Sequence, residues 1–130
     1  MNVINLFMKK ILIILFVLLN SSVHAFEKKT NFSFEKFEKA KSDGKTIVVN
    51  SWNKYCSTCN AQTKIFDQAI NDFKNVEFLF YEQTKYADIA KTLNIKFWTT
   101  IVVFKGEEQV AKKVGLTSKE EIYKLIKKGI

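Results

Sequence analysis

Two cysteines stand three residues apart in the stretch Thr46-Ile47-Val48-Val49-Asn50-Ser51-Trp52-Asn53-Lys54-Tyr55-Cys56-Ser57-Thr58-Cys59, and the 130-residue chain has no others. A thiol pair at this spacing can exchange electrons with another disulfide, supply part of a metal or cluster ligand set, or close an inert bridge. The chemistry depends on where the chain puts it. The apolar run Ile47-Val48-Val49 reads as a strand, and after the cysteines Ile65, Phe66, Ala69 and Ile70 recur at helical spacing. The pair therefore falls where a strand ends and a helix begins. The first turn of a helix has unpaired backbone N–H groups and the positive end of the macrodipole, and both favour a thiolate. Cys56 is expected to be the more acidic thiol and the attacking one. Cys59 lies on the same helical face but deeper, close enough to close a small disulfide ring with Cys56 and to act as the resolving thiol. A zinc site needs about four ligands, and the other strong candidate, His24, falls in a segment expected to be removed. A bridge across so short a loop takes little entropy from the unfolded chain. Electron exchange is the favoured reading, with metal binding and an inert bridge as its rivals.

The elements that must hold this pair can be read in order. Phe32, Phe34, Phe37 and Ala40 suggest an amphipathic helix between Thr30 and Gly44, with Ser33 as N-cap, Gly44 past its end and the phenylalanines facing the core. The strand at Ile47-Val48-Val49 has no clean alternation, which suits a central strand buried on both faces. Beyond the cysteine helix, Val76 to Tyr81 reads as a second strand. A short helix from Tyr86 to Leu93 follows, with Ile89, Ala90 and Leu93 on one side. Ile101 to Phe104, a turn at Lys105-Gly106-Glu107-Glu108 and Gln109 to Val114 read as a hairpin. Thr117-Ser118-Lys119-Glu120 has capping-box spacing before a last helix bearing Ile122, Leu125 and Ile126. Strand–helix–strand units followed by a hairpin predict an α/β domain: a mixed central sheet of about four strands flanked by about four helices.

Ahead of this domain, Lys9 and Lys10 precede the apolar run from Ile11 to Leu19, and Val23-His24-Ala25 offers small residues at a cleavage position. The pattern is that of a secretory signal peptide, residues 1–25, cut after Ala25. The run is short of the roughly 20 apolar residues that a membrane span needs, and an uncleaved membrane anchor is the alternative. Met8-Lys9-Lys10 is itself a compact basic opening, so Met8 is a second candidate start. Residues 26–130 suffice for one domain and not for two. The formal charge of +8 falls to +6 without Lys9 and Lys10, and every one of the 21 basic residues is lysine. Without arginine or a recognisable reader motif, nucleic-acid binding is not expected, and the charge reads as a solvated surface.

The residues from Trp52 to Cys59 resemble the tryptophan-x-x-tryptophan-cysteine-x-x-cysteine signature of thioredoxins, with Tyr55 in the second aromatic place. Leu93 to Gly106 looks like the family segment that runs through a cis-proline loop into a hydrophobic strand, and Val114-Gly115 resembles the glycine ending the next strand. The likeness covers about Thr30 to Ile130. It implies a thioredoxin fold, a redox-active Cys56–Cys59 disulfide, no metal or other cofactor, and protein disulfides as substrates.

Departures from that pattern are informative. The chain has no proline, and Thr99 takes the place of the cis-proline. By resemblance Trp98 and Thr99 would offer backbone groups to an extended substrate. A cis bond before a non-proline residue costs about 2.5–4 kcal/mol, so the Trp98–Thr99 peptide is expected to be trans. Asn50 stands where many thioredoxins have a buried acid that relays the proton of the resolving thiol, and asparagine cannot titrate. Ser57 and Thr58 are expected to tune the pair by donating hydrogen bonds to the attacking sulfur. Lys54 either brings a positive charge to Cys56 or points into solvent. Trp52, Tyr55 and Trp98 are expected to form an apolar rim for polypeptide substrates. The expectation is a monomeric, exported, periplasmic thiol–disulfide oxidoreductase of a Gram-negative-type cell, more reductant than oxidant, recharged by a membrane electron-relay protein. A metal or iron–sulfur carrier, which would need dimerisation to assemble four thiolates, and a redox-inert client-binding module are the alternatives.

Overall fold

In the computed structural model, residues 3–6, 8–10 and 30–130 are described. The apolar run 11–19, His24 and the expected cleavage after Ala25 lie outside them. Among the described residues no helix is long and apolar enough to cross a membrane.

The β-branched run after Lys45 forms β1, Thr46–Trp52, and six of its seven residues are buried. It is a central strand. Val76–Glu82 (β2) pairs with it in parallel, Val49 opposite Leu79, while Thr100–Lys105 (β3) pairs antiparallel on its other side, Val49 opposite Val102. Glu108–Val114 (β4) closes the hairpin with β3, with a register shift between Val103 and Phe104, and the sheet order is β2-β1-β3-β4. Four helices complete the chain: α1, Phe34–Ser42; α2, Ser57–Asp72; α3, Ala87–Thr92; and α4, Lys119–Lys127. The order helix, strand, helix, strand, helix, strand, strand, helix is the one expected, and the architecture is the thioredoxin fold.

Strand alternation divides the core into two layers. Ile47 and Val49 of β1, with Leu79, Tyr81, Val102 and Phe104, pack against Phe37 and Ala40 of α1 and Ile89 and Ala90 of α3. Val48 and Trp52, with Phe78, Phe80, Ile101 and Val103, pack on the other face against Cys59, Phe66 and Ala69 of α2 and Ile122, Leu125 and Ile126 of α4. Phe66 meets Phe80 edge-on at 5.4 Å between centroids. Burying a side chain of this size stabilises by about 1.5–3 kcal/mol, so this packing fixes α2, and with it the cysteines, on the sheet.

Caps set the helix ends. Ser33 accepts a hydrogen bond from Lys36 N in α1. In α4 the cap is Ser118, accepting from Glu121 N. The capping pattern fits both Thr117 with Glu120 and Ser118 with Glu121, and the helix uses the second pair. Ile70, which fits the helical period, is exposed, while Gln62 and Thr63 on the same helix are buried. Tyr123 of α4 donates to Asp72 of α2 at 2.6 Å. Burial and that hydrogen bond push its hydroxyl pKa up to about 12.

Near the C-terminus, Gly129 packs so closely on the sheet that a Cβ would stand 2.6 Å from Thr46 Cγ2 and 2.8 Å from Val103 Cγ1. Gly129→Ala is therefore expected to cost about 1–3 kcal/mol through overpacking. Urea unfolding with an unchanged midpoint would contradict it.

Candidate active site

The strand β1 ends at Trp52, and the residues between it and α2 are held by a short chain of side chains. Asn53 accepts from Tyr55 N at 2.9 Å and donates to Thr84 Oγ1 at 3.2 Å, and Thr84 in turn donates to Glu82 Oε1 at 3.1 Å. This Asx turn delivers Cys56 as the N-cap of α2. The backbone of Cys56 is extended (φ −100°, ψ 110°), and its Sγ accepts the N–H of Cys59 at 3.1 Å. Cys56 is half-buried and Cys59 buried. The two are joined as a disulfide with Cα atoms 5.2 Å apart. A sulfur in the N-cap position receives a backbone donor and the positive end of the helix, both of which stabilise its thiolate once the pair is reduced.

Beside Cys56 lies an open groove of about 480 Å³, walled by Lys96, Phe97, Trp98 and Thr99 and floored in part by Thr58 and Val114. Phe97 and Trp98 are 64% and 42% exposed. Tyr55 is 82% exposed, with Lys54 Nζ 4.9 Å from its ring centroid, so the Lys54 charge is directed onto the tyrosine face.

Several expected roles change at this level. Trp52 does not belong to the rim: it is 5% exposed, because the alternation of β1 turns it to the same face as Val48, into the layer with Cys59 and Phe66. The exposed aromatic that joins Trp98 is Phe97, which sequence reasoning passed over. Ser57 and Thr58 do not supply the hydrogen bond to Cys56 Sγ. It comes from the Cys59 backbone, since first-turn N–H groups converge on the N-cap atom. Asn50 is a buried donor, giving its Nδ2 hydrogens to Thr100 O at 3.1 Å and Gln62 Oε1 at 3.2 Å.

The loop at Thr99 shows the largest departure. No peptide bond among the described residues is cis, so Trp98–Thr99 is trans, and Thr99 takes φ +64°. A β-branched residue in the left-handed region is strained by about 1–3 kcal/mol. Three hydrogen bonds hold it: Thr99 N donates to Ser51 O at 3.0 Å, and Thr99 O accepts from Gly115 N at 3.2 Å and from Gln62 Nε2 at 3.0 Å. With both its backbone groups engaged inside the protein, Thr99 has neither to offer an extended substrate. Trp98 does, for its N–H and C=O take no partner among the described residues. Ser51 Oγ adds a bond to Phe97 O at 3.0 Å. Gln62 escaped sequence reasoning because glutamine on a helix reads as surface. Its place three residues after Cys59 on the inward face was the available signal.

Among the described residues no group of three or more His, Cys, Asp or Glu side chains could hold a metal ion.

Comparison with known proteins places this geometry. The family profile named Thioredoxin matches residues 26–128. A thioredoxin of Mycoplasma genitalium is 28% identical over 93 residues, covering 72% of this chain and 91% of that protein. A thioredoxin of Rickettsia bellii is 31% identical over 102 residues, covering 78% and 95%. The X-ray structure of Fasciola hepatica thioredoxin shares the fold, with a TM-score of 0.66 at 19% identity over 74% of this chain and 90% of that one.

Proline at position 99 would demand φ near −65° and remove the N–H given to Ser51. Thr99→Pro is therefore expected to lose more than about 1 kcal/mol of stability, read as a lowered urea midpoint. A variant as stable as the parent would contradict the left-handed trans loop.

Proposed function

The chain belongs to the thioredoxin family, and from that premise we propose that it is an exported reductant of protein disulfides. Its thioredoxin fold and Cys56–Cys59 pair make it a thiol–disulfide oxidoreductase. The observation that carries the reading is the half-buried Cys56 sulfur, capped by a helix N-terminus, opening onto a groove with exposed Phe97 and Trp98.

In the reduced protein, the Cys56 thiolate attacks one sulfur of a substrate disulfide. The substrate S–S bond breaks, a mixed disulfide forms at Cys56, and the first substrate thiolate leaves and takes a proton. Cys59, on losing its proton, attacks Cys56 Sγ and expels the second substrate thiolate. Two electrons pass to the substrate, and the protein is left with the Cys56–Cys59 disulfide seen here. The buried side chain of Asn50 carries no titratable proton, so the Cys59 proton leaves to water or to a carboxylate. Tyr55, Phe97 and Trp98 supply apolar contacts to the polypeptide, and the free Trp98 N–H and C=O pair with its backbone.

A reducing poise is supported by the scarcity of hydrogen bonds at the attacking sulfur, which among the described residues takes one, from Cys59 N. The Ser57 and Thr58 hydroxyls make none among the described residues, and each donor missing from the thiolate lowers the potential. Export to the periplasm is supported by Lys9-Lys10, the apolar run 11–19 and Val23-His24-Ala25. In that oxidising compartment a membrane electron-relay protein would return electrons to the pair, with the protein working as a monomer and without a metal or organic cofactor.

Purified protein with dithiothreitol is expected to accelerate insulin reduction at least tenfold over dithiothreitol alone, and Cys56→Ser to abolish the gain. A parent no faster than Cys56→Ser would refute the activity. Equilibration with glutathione is expected to place the pair below roughly −210 mV, the lower edge of a secretory redox poise. A value well above it would make the protein an oxidant. Cys59→Ser, expressed in cells, is expected to accumulate mixed disulfides in the periplasmic fraction, with the mature chain starting at Phe26. Their recovery only from the cytosol would overturn the location.

A further inference from the structure

The helix that carries the thiols also carries the residue that holds the wall opposite them. Gln62 lies one turn beyond Cys59 in α2 and is completely buried. All of its polar atoms are engaged. Nε2 donates to Thr99 O at 3.0 Å and to Leu116 O at 2.9 Å, and Oε1 accepts from Asn50 Nδ2 at 3.2 Å. A single amide thus joins α2 to β1, to the loop before β3 and to the loop after β4. One of the joined residues bears on the groove directly, since Thr99 forms part of its wall, and Leu116 lies two residues beyond Val114, which also lines it.

The wall needs such a tie. Thr99 is at φ +64°, a conformation that a threonine leaves when nothing opposes it. A shift of Thr99 toward negative φ would swing the Trp98–Thr99 peptide and displace Trp98, whose N–H and C=O are both left without a partner among the described residues. Ser51 and Gly115 hold Thr99 from the sheet side. Among the described residues, Gln62 is the hydrogen-bond partner that holds it from the helix of Cys56 and Cys59.

We propose that Gln62 is a positioning residue for the polypeptide substrate: its buried amide locks Thr99 in the left-handed conformation and so sets Trp98 at a fixed place relative to Cys56. This rests on the reading of the pair as a reductant of protein disulfides. Among the described residues Gln62 makes no hydrogen bond to the reacting sulfurs, so its loss is expected to appear in substrate binding and not in the exchange step. A residue that only supported the fold would change both, or change stability alone.

The test compares parent, Gln62→Met and the double variant Gln62→Met/Thr99→Gly in steady-state insulin reduction recycled by dithiothreitol. Methionine keeps the volume and removes the donors. Expected for Gln62→Met is a KM at least fivefold higher with kcat within twofold of the parent. The double variant is expected to recover more than half of the lost kcat/KM, because glycine adopts φ +64° without the strain that the clamp opposes in threonine. An unchanged KM, a parallel fall in kcat, or a KM rise that glycine does not reverse would each overturn the proposal. Should Gln62→Met fold too poorly for kinetics, Gln62→Asn serves, since it keeps the amide but withdraws it from the Thr99 carbonyl, and the same split is expected. A parent that reduces no insulin sinks the functional reading and this inference together. An active parent without the KM split sinks this inference only.

Discussion

The site depends on the junction where a buried strand passes directly into a helix whose N-cap is a sulfur. β1 is fixed by pairing on both sides and by packing on both faces, so its last residues have little freedom. The Asn53 side chain turns the chain, and α2 begins at a point set by the sheet. Cys56 then has one backbone donor, from Cys59, and the field of the helix behind it. Cys59 is buried by the same helical rotation that brings Phe66 onto Phe78 and Phe80. The asymmetry between an accessible sulfur and a protected one therefore follows from core packing and needs no special environment around the protected thiol.

The second wall of the groove is built on different terms. Where the family resemblance implies a proline loop, this chain uses threonine in a left-handed conformation and a trans peptide, and the stabilisation comes from hydrogen bonds with Ser51, Gly115 and Gln62. Asn50, Gln62, Thr99 and Thr100 form one buried polar network, each member satisfied by another. Such networks fix a single arrangement when fully paired and are costly when one member is lost. The same feature explains why Asn50 can sit inside a buried strand: its amide supplies two donors, to Thr100 O and Gln62 Oε1, that an ionised carboxylate could not.

The cysteine pair, the element order and the burial of β1 on both faces were legible in the sequence because they rest on short-range patterns: an unbroken β-branched run in the central strand, period 3.6 in α1, α2 and α4, and cap residues at Ser33 and the start of α4. Trp52 misled because the aromatic signature says what type of residue precedes the cysteines and not which face of β1 it takes. Thr99 was illegible for a stronger reason. A β-branched residue is a poor candidate for positive φ, and only contacts from β1, α2 and the residues after β4 make the conformation tenable. Gln62 was hidden by its type, since its burial depends on loops more than thirty residues away in sequence. What sequence could not show was therefore tertiary constraint, concentrated in the wall that faces the reactive sulfur.

The central claim is that the fold makes Cys56 an activated, accessible thiol. The most direct measurement is the rate of iodoacetamide alkylation of the reduced protein as a function of pH, with the modified residue identified by mass spectrometry. The account predicts modification at Cys56 with an apparent pKa clearly below the roughly 8.5 of a free cysteine, and protection of Cys59. A Cys56 midpoint at or above that value, or equal labelling of the two thiols, would contradict it.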